Sequence, residues 1–138
     1  MSVDGLFEKK LGSAGVATLE GDFKYFDFTN NIAAYADPDN FGMFDGVAFT
    51  GTALYLLPDK TGPGTFQPYV RFTQINPDGS SDRNEFETGL NYVIAGPNAR
   101  VSLFYQYGDL ATKSLVNFAP GVTGDKVNAI KLAIQLQI

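Results

Sequence analysis

The chain has 138 residues, a net charge of -5, and neither His nor Cys, so it is one domain at most and excludes thiolate, imidazole and the usual zinc chemistry. The negative balance argues against nucleic acid as a partner, because phosphate neutralisation needs clustered Lys and Arg. No run approaches the about 18 apolar residues of a membrane helix, so a membrane protein with this mean hydropathy of -0.07 must be a barrel.

Taken in chain order, Val3 to Leu11 is weakly patterned and reads as an irregular strand entering a turn at Gly12-Ser13-Ala14-Gly15. Ala17, Leu19, Gly21, Phe23 and Tyr25 then alternate with Thr18, Glu20, Asp22, Lys24 and Phe26, a strand with one largely charged face. A long Asn-, Asp- and Gly-rich connection runs from about Asn30 to Gly46. Within it, Asp37-Pro38-Asp39-Asn40-Phe41-Gly42 resembles the start of a calcium loop, but Ala48 stands where the bidentate Glu is required, so an Asx-rich loop is the better reading. The next strand alternates Val47, Phe49, Gly51, Ala53, Tyr55 and Leu57 with Ala48, Thr50, Thr52, Leu54 and Leu56.

Pro58 to Gly64 reads as a compact turn. Phe66, Pro68, Val70 and Phe72 then oppose Gln67, Tyr69, Arg71 and Thr73, and Pro68 is expected near a strand end or at a bulge. Asn76 to Arg83 is a polar loop, its Asp78-Gly79-Ser80-Ser81-Asp82 run again a plain Asx-rich loop. Phe86, Thr88, Leu90, Tyr92 and Ile94 oppose Glu85, Glu87, Gly89, Asn91 and Val93. Gly96-Pro97-Asn98 reverses the chain into Val101, Leu103, Tyr105 and Tyr107, opposed by Arg100, Ser102, Phe104 and Gln106. After a long loop from about Asp109 to Lys126, a last strand runs to the final residue, with Ile130, Leu132, Ile134, Leu136 and Ile138 on one face. Outer-membrane barrels commonly end in such a strand, usually on an aromatic residue where this chain has Ile138.

The reading is therefore all-β: six regular strands and an irregular seventh in one antiparallel up-and-down array. The connections run short, long, short, medium, short, long, so the short turns gather at one rim, with the C-terminus among them. In an outer-membrane barrel that rim is periplasmic. Alternation leaves open whether the apolar face meets lipid or encloses a core. Two features favour lipid. All charges of the regular strands (Glu20, Asp22, Lys24, Arg71, Glu85, Glu87, Arg100 and Lys131) share the polar face, and a basic residue facing mid-bilayer costs about 2–4 kcal/mol. Tyr25, Tyr55, Phe66, Phe86, Tyr92, Tyr105 and Tyr107 lie on the apolar face, mostly near strand ends, where interfacial girdles sit. The alternative is a soluble fatty-acid-binding or lipocalin-like barrel holding a hydrophobic ligand among Phe49, Tyr55, Phe86, Leu90 and Leu103.

The segments Thr18-Leu19-Glu20-Gly21-Asp22-Phe23-Lys24-Tyr25, Ala53 to Pro58, Phe66-Gln67-Pro68-Tyr69-Val70-Arg71-Phe72, Glu87 to Ile94, Asn98 to Leu103 and Leu132 to Ile138 resemble, in order, the C-terminal part of the phosphate-selective porin O and P family. The resemblance implies a barrel of about 16 to 18 strands, often trimeric, in which this chain supplies the last third or so and the remainder of the barrel, or other chains, supplies the rest. The Met1-Ser2-Val3-Asp4 start lacks a secretory signal, which implies a processed, truncated or recombinant form if the protein is exported.

The expected function is passive diffusion of small solutes, anions such as phosphate among them, through a Gram-negative outer membrane, with lipid around it, no cofactor, no metal and no catalysis. Lys24, Arg71, Arg100 and Lys131 are the cationic lumen candidates. Glu20, Glu85 and Glu87 are acidic wall residues, and the competing reading is that they and Asp22 pair with the cations across neighbouring strands. Glu85 and Glu87 could suggest a glycosidase pair, but two carboxylates on one strand face without a cleft read as wall charges. Gly62-Pro63-Gly64 lacks the Lys-Ser/Thr of a phosphate loop.

Overall fold

A computed structural model describes residues 1–27, 45–96, 98–110 and 123–137. Most of the long connections expected at Asn30 to Gly46 and at Asp109 to Lys126, and Ile138, lie outside the described residues, while Gly46 itself opens a strand.

The strands are β1 (Ser2–Lys10), β2 (Val16–Phe26), β3 (Gly46–Leu56), β4 (Lys60–Thr61), β5 (Gly64–Pro77), β6 (Arg83–Val93), β7 (Ala99–Gly108) and β8 (Val127–Leu136). They form one antiparallel sheet in the order β1-β2-β3-β5-β6-β7-β8, with the two-residue β4 paired only to β5. Each long strand lies beside its sequence neighbours, as an up-and-down array requires. Among the described residues no ladder joins β1 to β8, so the sheet has two free edges.

Period-two patterning sets the register. In an antiparallel ladder directly opposed residues share a face, and a slip of one residue would move every apolar side chain to the polar side. Across β2, β3, β5, β6, β7 and β8, one row reads Glu20, Thr52, Arg71, Glu87, Gln106 and Ala129. The row displaced by one residue reads Gly21, Gly51, Phe72, Phe86, Tyr107 and Asn128. The irregular start is a full strand: Val3, Gly5 and Phe7 extend the apolar face and Asp4 and Glu8 the polar one. Its pattern was weak because Leu6 falls on the polar side and Lys9 on the apolar one. Lys9 pairs with Ala17 at the short-turn rim, where its stem can lie along the sheet and its ammonium reach water.

The turns follow their residues. Leu11 N donates to Gly15 O at 2.8 Å, closing the hairpin loop round a single 3-10 turn at Gly12–Ala14, in which Ala14 N donates to Leu11 O at 3.1 Å. Gly15 has φ 120°, and a Cβ there would stand 2.3 Å from Leu56 O, so the close approach of β3 requires glycine. The compact turn expected at Pro58 to Gly64 folds back on itself, Lys60 and Thr61 pairing with Thr65 and Gly64. Pro68 makes no bulge, because its register with β6 is unbroken. Phe66 O accepts from the N–H of Leu57, the residue just after β3, so the backbone of Pro68, two residues on, also faces β3. Its missing N–H is lost to that ladder, whose paired register ends at Tyr69. β8 ends at Leu136, one residue before a last contact in which Gln137 N donates to Asn98 O at 2.8 Å.

Burial runs opposite to that of a water-soluble sheet packed on a core. Tyr69 is the one buried hydrophobic side chain among the described residues, whereas Thr18, Thr52, Glu87, Asn91, Ser102 and Gln106 are all buried on the polar face. Leu54 on β3 and Ala133 on β8 line one depression of about 170 Å³. Four strand steps would separate them by about 19 Å in a flat sheet, so the sheet curls with its polar face inside.

Gly89 lies in that curl, opposite Tyr69, where a Cβ would meet Phe104 Cβ at 2.6 Å and Tyr69 Cε1 at 2.7 Å. Gly89→Ala is therefore expected to destabilise the sheet by about 1–3 kcal/mol through overpacking. The midpoint of urea unfolding checks this, and an unchanged midpoint would contradict the packing described.

Candidate pore-lining site

The concave face carries its charges in two groups. Asp4, Glu8, Glu20 and Asp22 place the carboxylates of β1 and β2 together, with Lys24 among them. Arg71, Arg100 and Lys131 stand on β5, β7 and β8, and Glu85 and Glu87 lie between them on β6. A depression of about 450 Å³ spans the first group, running from Asp4 and Leu6 across Glu20 and Asp22 to Thr50, Thr52 and Arg71. All seven charged residues singled out in the sequence, Glu20, Lys24, Arg71, Glu85, Glu87, Arg100 and Lys131, lie on this face.

The pairing of the four cations differs from one to the next. Arg71 donates Nε to Thr52 Oγ1 at 3.2 Å and holds Glu87 Oε1 at 3.5 Å from its NH1, linking β3, β5 and β6 along one row. Lys24 Nζ lies 3.2 Å from Asp22 Oδ1, two residues away on its own strand. Arg100 NH2 donates to the neutral Gln135 Oε1 at 2.9 Å. Among the described residues Lys131, Glu20 and Glu85 make no ion pair. Among the described residues cross-strand neutralisation thus accounts for Arg71 alone, Lys24 pairs within its strand, and Arg100 and Lys131 have no carboxylate within ion-pair distance.

Neutral side chains that sequence reasoning left unassigned complete the wall. Tyr69 Oη donates to Glu87 Oε1 at 2.8 Å, and the Arg71 guanidinium lies 6.0 Å from the centre of the Tyr69 ring. Asn91 Nδ2 donates to Gln67 Oε1 at 3.1 Å and Ser102 Oγ to Asn91 Oδ1 at 2.7 Å, a chain crossing β5, β6 and β7. Glu87 is 8% exposed and Asn91 3%, so these bonds hold polar groups that burial would otherwise penalise. Their signal was present in the sequence, since each occupies the same strand parity as the charges.

At the opposite rim Arg83 is fully buried. It donates to Ser80 Oγ at 3.3 Å, to Asp82 O at 3.3 Å, and to the backbone and hydroxyl oxygens of Ser81. The run Asp78 to Asp82 is thereby wrapped round a guanidinium. Asp109 Oδ1 accepts from Asn84 N at 2.7 Å, and a Cβ on Gly124 would stand 2.8 Å from both Arg83 Nε and Asp109 Cβ. Arg83 so ties the β5–β6 loop to the chain entering β8.

The outer face has aromatic bands at both rims. At the short-turn rim Tyr55 Oη donates to Ala14 O, and Tyr92 Oη donates to Thr61 O at 2.5 Å and accepts from Gly64 N at 3.0 Å, with Phe66 5.1 Å away ring to ring. At the long-loop rim Tyr105 Oη donates to Asn128 Oδ1 at 2.6 Å, and Lys126 Nζ lies 5.8 Å from the Tyr107 ring. Tyr25 pairs with Val47, eight residues along β3 from Tyr55. That spans about 27 Å along a strand, or about 20 Å of height at the usual tilt, close to the about 25 Å apolar band of membrane barrels. Phe49, Tyr55, Phe86, Leu90 and Leu103, the residues expected to hold a ligand in a soluble barrel, all stand on this outward face.

Compared with known proteins, the chain matches no protein-family model, no curated protein and no solved structure.

Tyr69→Phe removes the buried donor to Glu87 and is expected to destabilise the sheet by about 1.5–3 kcal/mol, the range for hydrogen bonds to charged groups. The urea midpoint measures this, and a wild-type midpoint would show that the Tyr69–Glu87 bond contributes nothing.

Proposed function

We propose that this chain is a segment of the wall of an outer-membrane channel that lets small solutes, anions such as phosphate among them, diffuse passively. The observation that carries this reading is the inverted burial: charged and hydrogen-bonding side chains lie inside the curl, and Leu19, Val70, Leu90, Leu103 and Leu132 lie exposed outside it. In water that arrangement leaves a large apolar surface uncovered. In a bilayer the same surface meets hydrocarbon and the concave face meets an aqueous lumen. The aromatic bands then lie at the two interfaces, and the short turns face the periplasm. Remaining strands complete the lumen, and the sequence resemblance to phosphate-selective porins supports both a larger barrel and a trimer.

Within this channel Arg100 and Lys131 supply most of the anion-attracting field, since Arg71 and Lys24 each have a carboxylate within 4 Å. The lumen is an electrostatic path and performs no catalysis.

Two neighbouring positions test the orientation. Leu132→Arg puts a cation on the outer face near the middle of β8 and is expected to weaken folding into lipid vesicles by about 2–4 kcal/mol. Ala133→Arg, on the inner face, is expected to fold nearly as wild type. Equal effects, or the reverse order, would contradict the proposal. Neutralising Lys24, Arg71, Arg100 and Lys131 together in the complete channel is expected to shift the reversal potential in a salt gradient toward cation preference. An unchanged potential would remove these residues from the conduction path.

A further inference from the structure

The depression of about 170 Å³ in the curl holds a charged group out of water, which the rest of the wall does not. Tyr69, Arg71, Glu87, Asn91, Arg100 and Ser102 line it. Of the strand carboxylates on the concave face, Asp4, Glu8 and Glu20 are exposed and Asp22 and Glu85 half-buried, whereas Glu87 is buried. A carboxylate that only solvated the wall would stand in water as the others do, because burial penalises its charge. Gly89 sets the enclosure, since Tyr69 and Phe104 close over its bare backbone from the strands on either side.

The bonding capacity of these groups is only partly used. Tyr69 Oη donates to Glu87 Oε1 at 2.8 Å, and Arg71 NH1 lies 3.5 Å from the same oxygen, so both contacts fall on Oε1. Among the described residues no hydrogen bond reaches Oε2. Arg100 gives an N–H of NH2 to Gln135 Oε1, and the rest of its fork has no partner among those residues. The depression therefore offers a guanidinium fork to an anion and, at Glu87 Oε2, an acceptor to a donor. Its charged lining residues are Arg71, Arg100 and Glu87, two cations and one carboxylate, which leave one positive charge.

We infer that this depression binds a small hydroxycarboxylate carrying one negative charge, an inference that rests on the channel-wall reading. The carboxylate takes the Arg100 fork, whose geometry matches a planar pair of oxygens. The hydroxyl donates to Glu87 Oε2, and the carbon skeleton lies against Leu54 and Phe104, which line the same depression. A carboxylate without a hydroxyl leaves Oε2 shielded from water and unbonded. Phosphate is polar at every vertex, so the apolar side would strip water from one of its oxygens without replacing the bond. An amino acid has no net charge to balance the one positive charge of the lining. The volume, equal to that of about five or six water molecules in the liquid, suits an acid of three or four carbons. Such a site concentrates the acid in the lumen and favours its passage over that of other small anions.

Single-channel currents of the complete protein, purified from the membranes of the cells that make it and placed in planar bilayers, test the site. In chloride, added lactate is expected to halve the current at a concentration about tenfold below that needed with propionate, which has the same carbon skeleton without the hydroxyl. Phosphate is expected to need a higher concentration than lactate as well. Arg100→Gln should raise the half-blocking lactate concentration about tenfold. Glu87→Gln should bring the lactate and propionate values together, a change of ratio that a loss of wall stability alone does not produce. Equal values for lactate and propionate in the unaltered channel, or phosphate acting at a lower concentration than lactate, would overturn the proposal, whether or not the variants form channels. A lactate preference that survives both substitutions would place the binding elsewhere and overturn it too. A complete protein that opens no ion-conducting pore would overturn the channel reading itself, which is a separate failure.

Discussion

The constraint on which the structure depends is that its polar side chains occupy the inside of the curl and its apolar side chains the outside. A sheet of this kind has almost no apolar interior, and Tyr69 alone among the described residues is a buried hydrophobic. The burial of apolar area that dominates the stability of soluble domains is therefore nearly missing from its folded state in water. Its cohesion comes from the ladders and from the side-chain bonds that cross them. Arg71 links Thr52 to Glu87, Tyr69 supports Glu87, and Ser102 continues through Asn91 to Gln67. In a bilayer the alternative to a backbone bond is an unsatisfied group in hydrocarbon, so these ladders gain strength where the hydrophobic core is absent.

The rims follow from the same division. Backbone groups released at strand ends need partners or water, and the outer-face tyrosines supply several: Tyr55 caps the Ala14 carbonyl and Tyr92 serves both Thr61 and Gly64. Their rings remain on the apolar side while their hydroxyls reach the turn, as suits the boundary between hydrocarbon and headgroup. At the opposite rim a buried guanidinium does comparable work, with Arg83 drawing Ser80, Ser81 and Asp82 round itself. The charges of the concave face are thus carried on strands, whose positions are fixed by register, whereas the described loop residues are held at the rims.

Much of this was legible in the sequence because strand periodicity is strict. Once Glu20, Arg71, Glu87 and Arg100 were seen to share a parity, their common face followed, and the ladders place them there. β1 was less legible because Leu6 and Lys9 break the alternation, and only its pairing with β2 shows why both are tolerated at an edge and a rim. Pro68 interrupts the strand pattern in the sequence, yet a proline needs no bulge where only one ladder loses a donor. The pairing of charges was out of reach. Arg71 and Glu87 meet because β5 and β6 are in one particular register, while Arg100 finds a glutamine, and alternation within single strands fixes neither outcome. Which side of the sheet is inside was legible only through the segregation of charge and the placement of aromatic residues, because period two is the same for an apolar face turned outward and one turned inward. Curvature decides it, and curvature is a property of the assembled sheet.

The most direct test of the account is the far-UV circular dichroism and sedimentation of the purified chain in plain buffer and in detergent or lipid. The account predicts aggregation without a defined species in buffer, and a sheet spectrum with a discrete particle only when detergent or lipid covers the outer face. A monodisperse, sheet-rich monomer in buffer would contradict it, because such a molecule would have to bury the side chains that here stand outside.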